Sequence, residues 1–214
     1  MKYQCIVIDH PWSFADQLRQ SDVKRGAKAN YNTMSLTDIK NMNISGLADE
    51  NGCILCMWCP SSLLKEGIEV MEAYGFKLKS SFVWVKSKKE QSVRNILKDG
   101  AISLFKSFLL GDNVLGMGLG HTFRQCHEIC LIGINNTKIY KSLKNKSQRS
   151  VCLAENQGHS IKPETLQDRL DIMFPDTLKC ELFARRHRPG WRCVGNEICD
   201  GEDISVSIQK LIDK

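Results

Sequence analysis

Short apolar runs of strand-like composition recur along the chain at about 3–8, 53–58, 80–85, 128–134, 150–154 and 179–183, with helical patterning between several of them. This alternation constrains the fold more than any other feature. Near-continuous apolar strands are buried on both faces, and helices placed between them in sequence supply the cover. One predicted helix takes Ser61 or Ser62 as N-cap, carries Leu64, Ile68 and Met71 at i, i+4 and i+7, and stops before Gly75. Another starts at Pro163, a favoured first helical position, and continues through Leu166, Leu170 and Met173 to Pro175. The expectation is an α/β fold, a mostly parallel sheet flanked by helices, which binds ligands at the carboxyl ends of its strands.

With 214 residues, 42% of them hydrophobic, the chain has the apolar surface for one domain over 1–214. No apolar run approaches the roughly 20 residues needed to cross a bilayer. The first run meets Asp9 at once and is too brief for a signal peptide, so a cytoplasmic location is expected. A net charge of +6 suits a polyanionic partner without identifying one. Three stretches read as loop insertions, at about 13–33, 87–121 and 135–149, with an amphipathic helix near 93–110 inside the second. The third contains Lys138, Lys141, Lys144, Lys146 and Arg149 and reads as a hairpin loop, either solvated or in contact with phosphates.

Ten cysteines are many for such a chain. Most lie in the apolar runs, where a thiol packs as a small hydrophobe. Cys53, Cys56 and Cys59 have a metal-like spacing, but strand alternation sends Cys56 to the face opposite the other two. No metal site is expected. Gly116, Gly118 and Gly120 lack the spacing of a dinucleotide fingerprint, and no Gly-Lys pair occurs, which excludes a P-loop.

The strongest local signal is Asp9-His10-Pro11-Trp12 at the tip of the first strand, which sets a carboxylate, a rigid turn and a flat ring at a ligand-binding edge. This tetrapeptide resembles the Asp-Pro-Pro-Trp motif of amino-methyltransferases. Further along come Tyr31-Asn32-Thr33-Met34, Met57-Trp58, Met71-Glu72-Ala73-Tyr74-Gly75-Phe76 and Val83-Trp84-Val85-Lys86. Then follow Gly118-Leu119-Gly120-His121, His127-Glu128, Lys162-Pro163-Glu164, Glu181 to Arg185, Arg188-Pro189-Gly190-Trp191 and Gly195-Asn196-Glu197. In order and spacing the set resembles the MT-A70 family of S-adenosylmethionine-dependent adenine methyltransferases, over nearly the whole chain.

That resemblance implies a Rossmann-like class I methyltransferase fold, circularly permuted so that the catalytic motif precedes the cofactor motif. It implies methyl transfer from S-adenosyl-L-methionine to the 6-amino group of adenine in nucleic acid, with DNA preferred to RNA because the short phage and bacterial members are nearest in size. Alternative readings are the same reaction on RNA and a catalytically silent nucleic-acid-binding subunit. The family's amine acceptors are the side chain of the acid and the main-chain carbonyl of the next residue. By position these are Asp9 and His10, with Pro11 as rigidifier and Trp12 as stacking platform. His10 departs from the family's proline but keeps the carbonyl. The family's cofactor positions fall on Asp9, Lys162, Arg185, His187, Asn196 and Glu197, and its substrate side on Tyr31, Lys86, His121 and Glu128. A homodimer or a partner subunit is compatible with the pattern, and a phage-encoded member would work in the host cytoplasm.

Overall fold

The computed structural model describes residues 1–13, 33–89, 114–118, 122–158, 161–198 and 203–213. Tyr31, His121, the 93–110 helix and most of the first two loop insertions lie outside the described residues.

Seven strands form one sheet: β1 Cys5–Ile8, β2 Ile54–Cys59, β3 Lys77–Ser87, β4 His127–Ile134, β5 Val151–Glu155, β6 Lys179–Leu182 and β7 Trp191–Val194. Their order is β5-β3-β4-β2-β1-β6-β7. Only β4 runs against the rest, pairing antiparallel with β2 and β3. The mostly parallel sheet is as expected, and all six apolar runs are strands. The four described helices are α1 Leu36–Lys40, α2 Leu64–Ala73, α3 Thr165–Met173 and α4 Ile204–Ile212. None is long and apolar enough to cross a membrane.

The sheet separates two apolar layers. On one face Ile6, Ile8, Leu55 and Met57 pack against Ile39 of α1, Val70 and Met71 of α2, and Ile204, Ile208 and Leu211 of α4. On the other, Val7, Cys56, Trp58 and Trp84 pack against Leu166 and Leu170 of α3. Cys53 and Cys59 lie in the first layer and Cys56 in the second, as strand alternation requires. The helix α2 ends in a Schellman motif: Gly75 takes φ 80°, its N–H donates to Glu72 O, and the Phe76 N–H donates to Met71 O. This stop holds Tyr74 buried in the first apolar layer.

Two features differ from expectation. The 135–149 stretch is no hairpin loop, because β4 and β5 do not pair; both flank β3. Since β4 runs downward and β5 upward, the connection lies at the amino edge of the sheet, where Asn135 and Asn136 donate to the carbonyls of Asp49 and Glu50. From there the chain rises past Lys138, Lys141, Lys144, Lys146 and Arg149 to Val151, which pairs with Val83, so β3, β4 and β2 stand between its end and β1.

The second is β7, a four-residue strand interrupted by exposed Arg192 and too short to show a period. It lies parallel to β6, so the chain must return to the bottom of the sheet between Phe183 and Gly190 without a helix. A type II turn ends the passage, with Pro189 and Gly190 (φ 77°) central and the Trp191 N–H donating to Arg188 O. Charge holds it: Arg188 reaches Glu164 at 2.7 Å, Asp168 at 2.7 Å and Asp171 at 2.8 Å, and Trp191 Nε1 donates to Asp171 at 3.0 Å. These acids lie along α3 and its preceding turn at positions that share one helical face. Arg188→Ala is expected to lower stability by about 2 kcal/mol, read as a reduced urea midpoint with unchanged slope.

Candidate active site

The carboxyl ends of β1, β3 and β5, with the first residues of β4, meet in one ionic cluster. Lys162, carried just beyond β5, sits with its Nζ 2.8 Å from Asp9 Oδ2 and 3.3 Å from Glu128 Oε2. Lys86 from β3 holds the other oxygen of Glu128 at 2.6 Å. Both ammonium groups also lie over indoles, Lys162 at 5.8 Å from the Trp58 centroid and Lys86 at 5.1 Å from that of Trp84. Two acids and two bases thus neutralise one another in a half-buried setting.

The two carboxylates are not equivalent. Burial pushes the Asp9 carboxyl above its ordinary value, and its single shared lysine pulls it back only in part. A quarter of that side chain stays open to solvent (26% exposed), which limits the upward push. Burial acts upward on Glu128 too, but Lys162 and Lys86 outweigh it and hold it below the usual carboxylate range. Burial would lower Lys162; Asp9 and Glu128 outweigh that and raise it, so it stays charged. Glu128 is the fixed anion that keeps both lysines in place. Asp9 is the carboxylate with acceptor capacity left and the greater proton affinity.

The turn after Asp9 is tightly held. The Trp12 N–H donates to His10 O at 2.9 Å, the Met34 N–H to Pro11 O at 2.9 Å, and the Trp12 indole N–H to Trp58 O at 3.0 Å. Trp12 is 6% exposed and belongs to the first apolar layer. Its observed work is to pin the turn to β2, which leaves little open face for the stacking role anticipated for it. His10 is buried beneath the turn.

A second group of anticipated residues stands at the tips of β6 and β7. Phe183 leaves β6 in the left-handed region (φ 58°), a strained conformation for a residue with a Cβ. Ala184 then donates to Val194 O at 3.0 Å, and Gly195 lies so close that a Cβ there would fall 2.4 Å from Ala184 O. The contact presents Arg185 and Glu197 side by side, 3.4 Å apart. Arg185 is near enough to Asp9 to favour its ionised form, which links the two groups. His187 and Asn196 are exposed on the same two loops.

The structure therefore brings Asp9, Lys86, Glu128 and Lys162 into one cluster and sets Arg185 against Glu197 beside it. Sequence reading missed Tyr74 beneath the turn and the Glu164–Arg188 brace behind Lys162. The only sequence signal for either was their place inside the quoted motifs.

Fold and site together define an α/β protein with a charged cluster at the carboxyl edge of a mostly parallel sheet, where such folds bind ligands. The model of the MT-A70 family matches residues 3–197, and the chain belongs to that family and has its α/β methyltransferase fold. It is 25% identical over its whole length to the type II methyltransferase M.MunI of Mycoplasma sp, covering 84% of that protein. Over 92% of the chain it is 23% identical to the N(6)-adenosine-methyltransferase catalytic subunit METTL3 of Homo sapiens, and 25% identical to the probable N(6)-adenosine-methyltransferase MT-A70-like of Oryza sativa subsp. japonica. The matched region spans about a quarter of those two proteins, 28% and 23% of their lengths.

Proposed function

We propose that this protein transfers a methyl group from S-adenosyl-L-methionine to the 6-amino group of adenine in nucleic acid, with DNA as the preferred substrate. The observation that carries the reading is the Asp9–Lys162 ion pair at the carboxyl end of β1, with Glu128 and Lys86 behind it. DNA is preferred because a relative matched along 84% of its own length is named a type II methyltransferase.

The donor set fits that cofactor. Lys162 and Asp9, 2.8 Å apart, would offer an ammonium and a carboxylate to its zwitterionic amino-acid end. Arg185 and His187 would serve the ribose hydroxyls, and Asn196 with Glu197 the ribose and adenine. When bound, the cofactor supplies a methyl group already activated on a sulfonium.

The protein's own residues do the rest. The 6-amino nitrogen of adenine is a poor nucleophile because its lone pair is delocalised into the ring. Asp9 and the His10 carbonyl accept its two N–H bonds and draw the nitrogen toward tetrahedral geometry. Lys162 keeps Asp9 ionised until the amine loses a proton, and Asp9, with its raised proton affinity, receives it. In-line placement supplies most of the acceleration. A target adenine within a duplex would have to leave the stack to reach this edge.

Two measurements test the reading. Calorimetric titration with S-adenosylmethionine should show binding at micromolar to submillimolar cofactor, and no binding at millimolar concentration would point to the silent-subunit reading. Labelled cofactor offered in parallel with duplex DNA, single-stranded DNA and RNA should label DNA most. Label in RNA alone would move the substrate to RNA, whereas cofactor binding without transfer to any of them would defeat the enzymatic reading.

A further inference from the structure

Inside the turn that carries Asp9, His10 is 3% exposed, with its ring centroid 5.3 Å from Trp12, 5.9 Å from Tyr74 and 5.5 Å from Phe183. Its Nε2 lies 3.0 Å from the Tyr74 hydroxyl, which itself lies 2.5 Å from the carbonyl of Ile39 in α1. A carbonyl only accepts, so the single Tyr74 proton goes to Ile39, and His10 must donate from Nε2 to the phenol oxygen. The ring is then the neutral Nε2–H tautomer with a lone pair on Nδ1. Among the described residues that nitrogen is buried with no hydrogen-bond partner, an arrangement that costs stability and that apolar packing alone would not select. Desolvation also lowers the His10 pKa to about 3, which keeps the ring neutral at neutral pH.

We propose that His10 is a positioning residue and that the His10–Tyr74–Ile39 chain is a clamp that fixes the acceptor turn for the incoming amine. Residue 10 carries no ring constraint on its own φ, unlike Pro11. Its backbone is immobilised through its side chain instead, by the three aromatic neighbours and by a hydrogen bond to the buried C-cap of α2, which is tied in turn to α1. The clamp sets where the His10 carbonyl stands, whereas the Asp9 carboxylate is held separately by Lys162 at 2.8 Å. This inference rests on the proposed methyl transfer.

The test is steady-state kinetics of the full chain and of Tyr74→Phe, His10→Pro and the double variant, on an oligonucleotide that the unaltered protein methylates. Tyr74→Phe should lower kcat by about ten- to a hundredfold, the cost of a small misplacement of reacting groups, with the cofactor KM within about twofold. With proline at position 10 the same Tyr74→Phe change should cost less than about twofold, because the pyrrolidine ring fixes φ without help. An equal loss in both backgrounds, or a lower melting midpoint with kcat unchanged, would overturn the clamp. If the His10→Pro chain does not fold, the ¹⁵N shifts of His10 in the unaltered protein decide the point. A protonated Nε2 with bare Nδ1 supports the clamp, and the opposite tautomer overturns it. Should the unaltered protein transfer no methyl group at all, the proposed activity fails while the tautomer measurement still judges the clamp.

Discussion

Asp9→Ala is expected to reduce methyl transfer by at least about 10³-fold while the circular dichroism spectrum and melting midpoint stay close to those of the unaltered protein. The size follows from removing the group proposed to touch the reacting nitrogen and accept its proton, a contribution of about 10²–10⁴ for general-base function alone. The fold should survive because Lys162 keeps Glu128 at 3.3 Å and Glu128 keeps Lys86 at 2.6 Å. Asp9 itself does little for stability at neutral pH. A carboxyl whose folded pKa lies above its unfolded value contributes stability below the unfolded value and loses it as pH rises through the folded one. Asp9→Asn separates charge from shape. It keeps the size of the side chain but can present a donor to an amine that needs an acceptor, so its loss should approach that of alanine. Near-normal turnover by either variant would remove Asp9 from the chemistry.

Gly195→Ala is the second large effect. The added methyl would lie 2.4 Å from Ala184 O, 2.7 Å from Ala184 N and 2.9 Å from Phe183 C, all backbone atoms. Nothing there gives way cheaply: Phe183 is already in the left-handed region, and Ala184 is bonded to Val194 O. Relief requires the tips of β6 and β7 to part, at a cost of about 3 kcal/mol, and parting them separates Arg185 from Glu197. The variant should melt at least several degrees lower and, where still folded, bind S-adenosylmethionine at least tenfold more weakly in calorimetry. Unchanged cofactor affinity in a folded Gly195→Ala protein would mean that these loops do not hold the cofactor.

Local features were legible in the sequence and long-range geometry was not. The buried strands declare themselves through unbroken apolar runs such as Cys5 to Ile8, and α2 and α3 through spacing that one turn of helix dictates. Asp9 could be placed at a strand tip for the same reason. In contrast, β7 is four residues long and α1 five, too short for a period to show. The helix α4 carries a local signal of the same kind, Ile204, Ile208 and Leu211 at i, i+4 and i+7 behind Asp203 as N-cap. The basic residues between Lys138 and Arg149 suggested a phosphate surface because their charge is visible locally. That the stretch starts at the amino edge and links β4 to β5 across β3 depends on β4 running against its neighbours, which no local pattern encodes. Tyr74 likewise reads as an ordinary helix-end aromatic until the fold brings it 3.0 Å from His10, 64 positions away in sequence.

The role proposed for the cluster of Asp9, Lys162, Glu128 and Lys86 is methylation of the 6-amino group of adenine. The most direct test is to incubate the protein with S-adenosylmethionine and nucleic acid, digest the product to nucleosides and identify the methylated one by mass spectrometry. N6-methylated adenine nucleoside should form with the unaltered protein and be lost with Asp9→Asn. A methyl group on another base or another atom of adenine, or an N6-methyl signal that persists in Asp9→Asn, would contradict the account.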